Sequence, residues 1–492
     1  MEEDPDILAS MLLRMRNDRD SPSHRLPPET LAAVAFHLDC DKSLIAATHV
    51  CHFWRSTLIA SPPLWSHITF DRNELRAFEF LERSKSAGVS VDLTGDSKPS
   101  VTVKESLMRV SDRLTSLRAV NVPFLDELLI QPLPILRDLE VSTSGKSFSV
   151  PPPAATSLGR PLFHVPHLTK LRLVIRDSLD APRMGDNLID FLRNCPLLEV
   201  AFFGYGNSDV DIKFTTDEGS TDAVSLPRLR SFAHESPVEK IHAGLFNRLS
   251  LPPTCNVAFG ITDLSVQKPW NDAFPALRDP PYLSDVKHVR IACHAPGFGH
   301  RTIRASFSNS RNTQISFCRS AASPYPTYLT WWIESFLKFL GSSEMARSIE
   351  TLCFNDCEVM LPHGFTPEGL TEPLLRLCNL KTILLLGKCN PAFFLVNPSP
   401  PAAWCPGVQN LVVHQELPKP SEPTEWNCLE RVRDIAVSRR EYATPLKVVA
   451  LSLPLQEAQI PLQTYRTLIG ELDGCVELVQ LPNRAFEGGV PD

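Results

Sequence analysis

Leu168-Thr169-Lys170-Leu171-Arg172-Leu173 decides the fold. Three bulky apolar residues stand at positions 1, 4 and 6, with polar residues between them, and the last two alternate as one face of a strand does. The same template, with any large apolar residue in the Leu places, recurs at Leu136/Leu139/Val141, Leu197/Val200/Phe202, Ile261/Leu264/Val266 and Val286/Val289/Ile291. It returns at Ile349/Leu352/Phe354, Leu380/Ile383/Leu385, Val408/Leu411/Val413 and Val432/Ile435/Val437. Shorter copies lie at Leu114/Leu117, Leu229/Phe232 and Ile315/Phe317.

The step between early copies is about 25–32 residues, at or slightly above the upper end of the leucine-rich-repeat range. Pro134, Pro166, Pro196 and Pro227 precede copies, where a missing amide donor does not interrupt a strand ladder. Helical spacing fills the gaps: Leu188, Phe191 and Leu192 within 185–195, Ile241, Leu245 and Leu249 within 239–249, then 332–340 and 373–380. A strand–helix unit of this size cannot bury its own apolar face, so units stack on their neighbours. The expected class is therefore α/β, an irregular strand–helix solenoid over 114–485, with about ten to twelve repeats. A conventional α/β domain is the alternative. Proline-rich stretches at 143–157, 398–401 and 417–423 read as insertions.

Upstream of the repeats, residues 71–113 read as a bridging helix and first strands. Leu75, Phe78 and Leu81 are expected to share the helix face, and Val89-Ser90-Val91-Asp92-Leu93 alternates as a strand. Residues 1–23 read as a short helix and a linker. Between them, 24–70 has a different pattern. Pro27 and Pro28 sit in a first helical turn, followed by Leu31, Val34, Ala35 and Leu38 on one face. Asp41 is the expected cap of a second helix carrying Leu44, Ile45, Ala47 and Thr48. A third is expected from His49 or Val50, with Val50, Trp54 and Leu58 in one stripe, closed by Ser61-Pro62-Pro63-Leu64-Trp65. Three short helices cannot bury so many large side chains among themselves, so part of this surface is expected to meet a partner.

Leu26-Pro27, Leu31, Val50-Cys51-His52-Phe53-Trp54-Arg55 and Pro63-Leu64-Trp65 resemble, in order and spacing, an F-box. Thr30 and Ala35 depart from the usual aliphatic and aromatic at their places, with Phe36 one position late. The F-box, the Leu81-Glu82-Arg83-Ser84-Lys85-Ser86 helix end and the irregular repeats together resemble the expanded mushroom-type fungal F-box proteins. The resemblance implies a three-helix F-box that binds a Skp-type adaptor and, through it, a cullin–RING ubiquitin ligase, while the repeats hold a protein substrate. The implied adaptor-binding residues are Leu26, Pro27, Leu31, Leu38, Val50, Trp54, Leu64 and Trp65. The alternative function is an F-box scaffold acting outside a ligase.

Composition agrees with that picture. The chain of 492 residues carries a net charge of −7, is 43% hydrophobic, and has 44 Pro against 21 Gly. Bulk charge argues against nucleic-acid binding, and the short apolar runs argue against a membrane span. The acidic opening, Met1-Glu2-Glu3-Asp4, is unlike a secretory signal, so cytoplasm or nucleus is the expected compartment. Thirteen scattered cysteines without a C-x-x-C pair read as reduced thiols. No P-loop, zinc-protease helix or nucleophile elbow is present, so no enzyme activity and no cofactor are expected. Cys293, His294 and His300 beside Gly297-Phe298-Gly299 are a weak metal or nucleotide candidate. His24, His37, His49, His52 and His67 are a weak pH-sensing candidate, and Trp331-Trp332 a weak recognition anchor.

Overall fold

The structure is a computed structural model that describes residues 9, 11–13, 15–16, 26–38, 40–71, 73–94, 99–143, 165–175, 184–205, 223–236, 248–261, 285–294, 301–309, 314–321, 327–355, 373–387, 407–414, 428–441, 445–452 and 462–480. It is mixed α/β with a mostly parallel sheet, and it divides into two compact units, Met1–Leu173 with Asn194–Leu198, and Val174–Arg193 with Glu199–Asp492. The proline-rich stretches 144–157, 398–401 and 417–423 lie outside the described residues, as do the linker at 18–23 and most of 239–249.

The first unit opens with three short helices, α1 (Pro28–Phe36), α2 (Asp41–Thr48) and α3 (His52–Ile59), then a 3-10 turn over Pro62–Trp65. Pro27 is held extended by the proline after it, and Pro28 opens α1 where its missing amide hydrogen leaves no bond unmade. Asp41 is the first residue inside α2 and not its cap; the extended cap position belongs to Cys40. Likewise α3 begins at His52. The Cys51 sulfur accepts from the Trp54 amide at 3.5 Å, which leaves Val50 outside the helix and out of line with Trp54 and Leu58.

Helix α4 (Glu74–Arg83) is capped by the Asn73 side chain, which accepts from the Arg76 amide at 3.2 Å. Its buried face is Ala77, Phe80 and Leu81, whereas Leu75 is 81% exposed. The expected Leu75/Phe78/Leu81 stripe is thus rotated, because Phe80 must meet Trp65. Strands β1 (His67–Thr69), β2 (Val89–Leu93), β3 (Leu114–Val120), β4 (Asp138–Thr143) and β5 (Lys170–Ile175) follow in sheet order, with β1 to β4 paired in parallel. Val89, Val91 and Leu93 turn inward as expected.

On the open face of these strands every charge meets its opposite. Arg118 lies 3.7 Å from Asp92 and 3.4 Å from Glu140, Arg172 lies 3.4 Å from Glu140, and Lys170 lies 3.8 Å from Asp138. Each is a cross-strand pair worth a few tenths of a kcal/mol, about 0.2–1 in exposed settings.

The second unit holds β6 (Val200–Tyr205), β7 (Val224–Ser225), β8 (Ser231–Ser236), β9 (Leu249–Ser250) and β10 (Asn256–Ile261). Then come β11 (Val286–His294), β12 (Arg301–Asn309), β13 (Gln314–Ala321), β14 (Thr351–Asn355), β15 (Thr382–Leu386), β16 (Asn410–His414), β17 (Val448–Ser452) and β18 (Glu477–Gln480). Its sheet order is β6-β8-β10-β13-β12-β11-β14-β15-β16-β17-β18, and β7 pairs with β9 separately. Strands are parallel except at β12, which runs antiparallel to both β11 and β13. Along Lys287, Glu350, Lys381, Gln409, Lys447 and Glu477 the backbone amide of each later residue donates to the carbonyl of the one before.

Most templates turn inward as expected, with Leu136, Leu139, Val141, Leu168, Leu171 and Leu173 buried, and equally Val286/Val289/Ile291, Ile349/Leu352/Phe354, Leu380/Ile383/Leu385 and Val408/Leu411/Val413. Two copies are corrected. In β6 the inward residues are Ala201 and Phe203, preceded by buried Leu198, while Val200 is exposed. Leu197-Leu198 offered two registers one residue apart, and a slip of one exchanges the faces of a strand. Val432/Ile435/Val437 is not a strand but part of helix Cys428–Glu441. Val432, Ile435, Ala436 and Arg439 are buried at helical spacing, and the Arg439 guanidinium donates to the Val408 carbonyl at 2.7 Å. The strand copy of that region is Leu446/Val449/Leu451, all buried. Ile261 ends β10, whose inward residues are Val257 and Phe259; Leu264 and Val266 lie outside the described residues.

Candidate partner interface

The core under α1–α3 is organised by Trp65, which is 0% exposed. Its indole N–H donates to the Leu58 carbonyl at 2.9 Å, the Phe80 ring meets it edge-on at 4.9 Å, and the Arg83 guanidinium lies 4.6 Å above it. Leu31, Ala35, Leu44, Ala47, Leu58 and Leu64 are the other buried apolar residues of this module. The Arg55 Nε donates to the Thr48 carbonyl at 3.0 Å, tying α3 to the end of α2. Of the expected adaptor-binding residues, Leu31, Leu64 and Trp65 are therefore sealed inside their own chain. They shape the module from beneath, because one small core needs its largest side chains at its centre.

The other expected residues remain open. Leu26 is 39% exposed, Leu38 37% and Val50 61%, Pro27 is exposed, and Trp54 is partly exposed. Two residues outside the expected set join them, Val34 at 54% and Phe36 at 59%. The apolar face expected to unite Leu31, Val34, Ala35 and Leu38 is thus split into a buried edge and an open edge. The Trp54 Nε1 is a buried atom with no hydrogen-bond partner. Within residues 26–54 these side chains leave apolar area open to solvent.

Next to this surface Cys40 is exposed, and its thiol titrates below the ordinary value because the Ser43 hydroxyl and backbone amides at the start of α2 favour the thiolate. By contrast, burial pushes the Cys195 and Cys255 thiols up to about 12. A cleft of about 580 Å³ lies on the far side of α3, lined by His52, Arg55, Ser56, Glu79, Arg83 and Lys85 among others. The Arg83–Glu79 pair at 2.8 Å, one turn apart on α4, belongs to its lining.

Of the weaker candidates, Cys293 and His294 fall in β11, His300 and Gly297 to Gly299 lie outside the described residues, and so do the side chains of Trp331 and Trp332. His24 also lies outside, and His37, His49, His52 and His67 are exposed. Among the described residues no three metal-ligating side chains cluster, and no helix is long and apolar enough to cross a membrane. Searches against family models and against curated proteins match nothing to this chain.

Proposed function

We propose that the protein is a substrate-recruiting adaptor of an SCF-type cullin–RING ubiquitin ligase. The α1–α3 module acts as the F-box that binds a Skp-type adaptor, and the strand–helix body acts as a leucine-rich-repeat solenoid that holds the substrate. The observation that carries this reading is the open apolar edge of Leu26, Val34, Leu38 and Val50 over a core closed by Trp65. The F-box resemblance of the same residues supplies the partner's identity. In this role the chain makes and breaks no bond. It holds a substrate lysine near a ubiquitin-charged enzyme, so that a bimolecular encounter becomes nearly intramolecular.

Complete burial of one such aliphatic side chain is worth about 1.5–3 kcal/mol, and residues that start half-open yield roughly half of that. Truncating two therefore weakens binding about tenfold or more. The test is capture of the full chain by a purified Skp-type adaptor. Leu26→Ala with Val50→Ala is expected to lose capture while hydrogen exchange in peptides covering 52–93 stays as in the parent. Equal capture by parent and variant would refute the assignment.

A further inference from the structure

In the second unit, the antiparallel excursion of the sheet presents two arginines and a histidine that make no ion pair among the described residues. On β11, Val289 and Ile291 face the core while His288 and Arg290 are exposed; on β12, Ala305 and Phe307 face the core while Arg304 is exposed. Register places Arg290 opposite Ser306, His288 opposite Ser308, and Arg304 opposite Ala292. The three basic side chains therefore share the open face. Arg290 and Arg304 are diagonal neighbours, about 7–8 Å apart at their backbones, and His288 stands two residues from Arg290, about 6.8 Å along the strand.

The paired positions on that face carry no carboxylate through two further strands on either side. They are Ser316 and Ala258 in one direction and Cys353 and Leu384 in the other, at the level of Arg290. At the level of Arg304 the first acid reached across the sheet is Glu235 on β8, whose side chain lies over Gly260 and whose strand is three spacings, about 14 Å, from that of Arg304; Glu350, which precedes the Thr351 partner of His288, is engaged by Lys287 and Lys381. Neither arginine makes an ion pair among the described residues, unlike Arg118 and Arg172 on the open face of the first unit. Their cross-strand partners Ser306 and Ala292 are small and buried, so Arg290 and Arg304 are the groups this stretch offers to solvent. In a protein of net charge −7 this is a local inversion of sign.

We propose that this face docks an acidic, extended peptide segment of a partner protein. Carboxylates at alternate positions would meet Arg290 and Arg304, with His288 beside them as a hydrogen-bond donor, because side chains two apart on an extended chain recur at about 6.8 Å, close to the spacing of these three. The claim that this partner is the recruited substrate rests on the adaptor reading; the docking claim rests on the sheet alone.

The test uses the full chain and a fluorescein-labelled peptide of alternating Glu and Ser with five Glu, measured by anisotropy at low and physiological salt. Expected is saturable binding that weakens as salt rises, falls at least tenfold in Arg290→Gln with Arg304→Gln, and is partly kept in the paired Arg→Lys variant. Arg118→Gln, which removes a neutralised cation, is expected to bind as the parent does. The proposal is overturned if the double Gln variant binds like the parent, if Arg118→Gln loses as much, or if the Gln-for-Glu peptide binds equally well. Tighter binding of inorganic phosphate or of a single-stranded oligonucleotide at the same arginines also overturns it. Capture by the Skp-type adaptor, measured on the same double variant, separates the two claims. Lost peptide binding with intact capture leaves the adaptor reading standing, and absent capture in the parent with intact peptide binding sinks only that reading.

Discussion

Replacing Trp65 by Ala tests whether that residue is core or interface. The side chain is fully enclosed, bonded to the Leu58 carbonyl at 2.9 Å and in edge contact with Phe80 at 4.9 Å. Large-to-small replacement at such a site costs about 3–5 kcal/mol, and the Leu58 carbonyl keeps its backbone donor from Ser61. Because the chain has two compact units, a single unfolding midpoint is a poor reporter. Hydrogen exchange read on peptides covering 52–93 reports local opening instead. At about 1.4 kcal/mol per tenfold, Trp65→Ala is expected to speed exchange there by roughly a hundredfold to several thousandfold. Trp65→Phe, which keeps the ring contact and loses the hydrogen bond, is expected to speed it by only about tenfold. If Trp65→Ala leaves these peptides protected while abolishing adaptor capture, the indole faces the partner and the core described here is mistaken.

Three further outcomes follow from the same geometry. Iodoacetamide is expected to alkylate Cys40 ahead of Cys195 and Cys255 at neutral pH, with a midpoint below the ordinary thiol value of 9.0 that rises in Ser43→Ala; equal rates for all three thiols contradict this. Glu350 is held down at about 2 by hydrogen bonds from Lys381 and Lys287, so its contribution to stability is complete above its ordinary 4.5 and lost as pH falls through about 2. Acid titration of its carboxyl by NMR is expected to show that low midpoint, rising in Lys381→Met; an unperturbed midpoint in the parent contradicts it. Finally, Leu198→Asp is expected to destabilise by about 3 kcal/mol or more while Val200→Asp stays within about 0.5 kcal/mol, read as hydrogen exchange on peptides covering 198–205, and the reverse order would restore the alternative register.

The strands were legible because β structure writes itself in a period of two, and the body repeats one template. Val89-Ser90-Val91-Asp92-Leu93 and Leu168 to Leu173 needed no tertiary information. The template failed where two readings fitted the same letters. Leu197-Leu198 allowed two registers, and Val432-x-x-Ile435 begins a helix as readily as a strand until Ala436 and Arg439 are seen to be buried. Strand β12 was missed although Ile303, Ala305 and Phe307 alternate, because it lacks the leading apolar residue and runs against its neighbours.

At the candidate interface, the presence of large apolar residues was legible and their division between core and surface was not. Trp65 and Val50 look alike as letters in a motif. Only the position of Phe80, 15 residues further on and on another helix, decides which of them is enclosed. Val34 and Phe36 were passed over for the complementary reason, since helical spacing placed Val34 with Leu31, whereas the core accepts only the Leu31 and Ala35 edge of α1. The arginines of β11 and β12, which make no ion pair among the described residues, were out of reach of any local pattern, because their neighbours come from strands as distant in sequence as Cys353 is from Arg290.

The most direct test of the central claim is backbone hydrogen exchange of the full chain with and without a saturating Skp-type adaptor. The account predicts slowing of tenfold or more in residues 26–38 and 49–55, with Trp65 and its strand neighbours unchanged. Exchange that is the same at 26–38 with the adaptor present, or protection confined to the strands of the body, would contradict it.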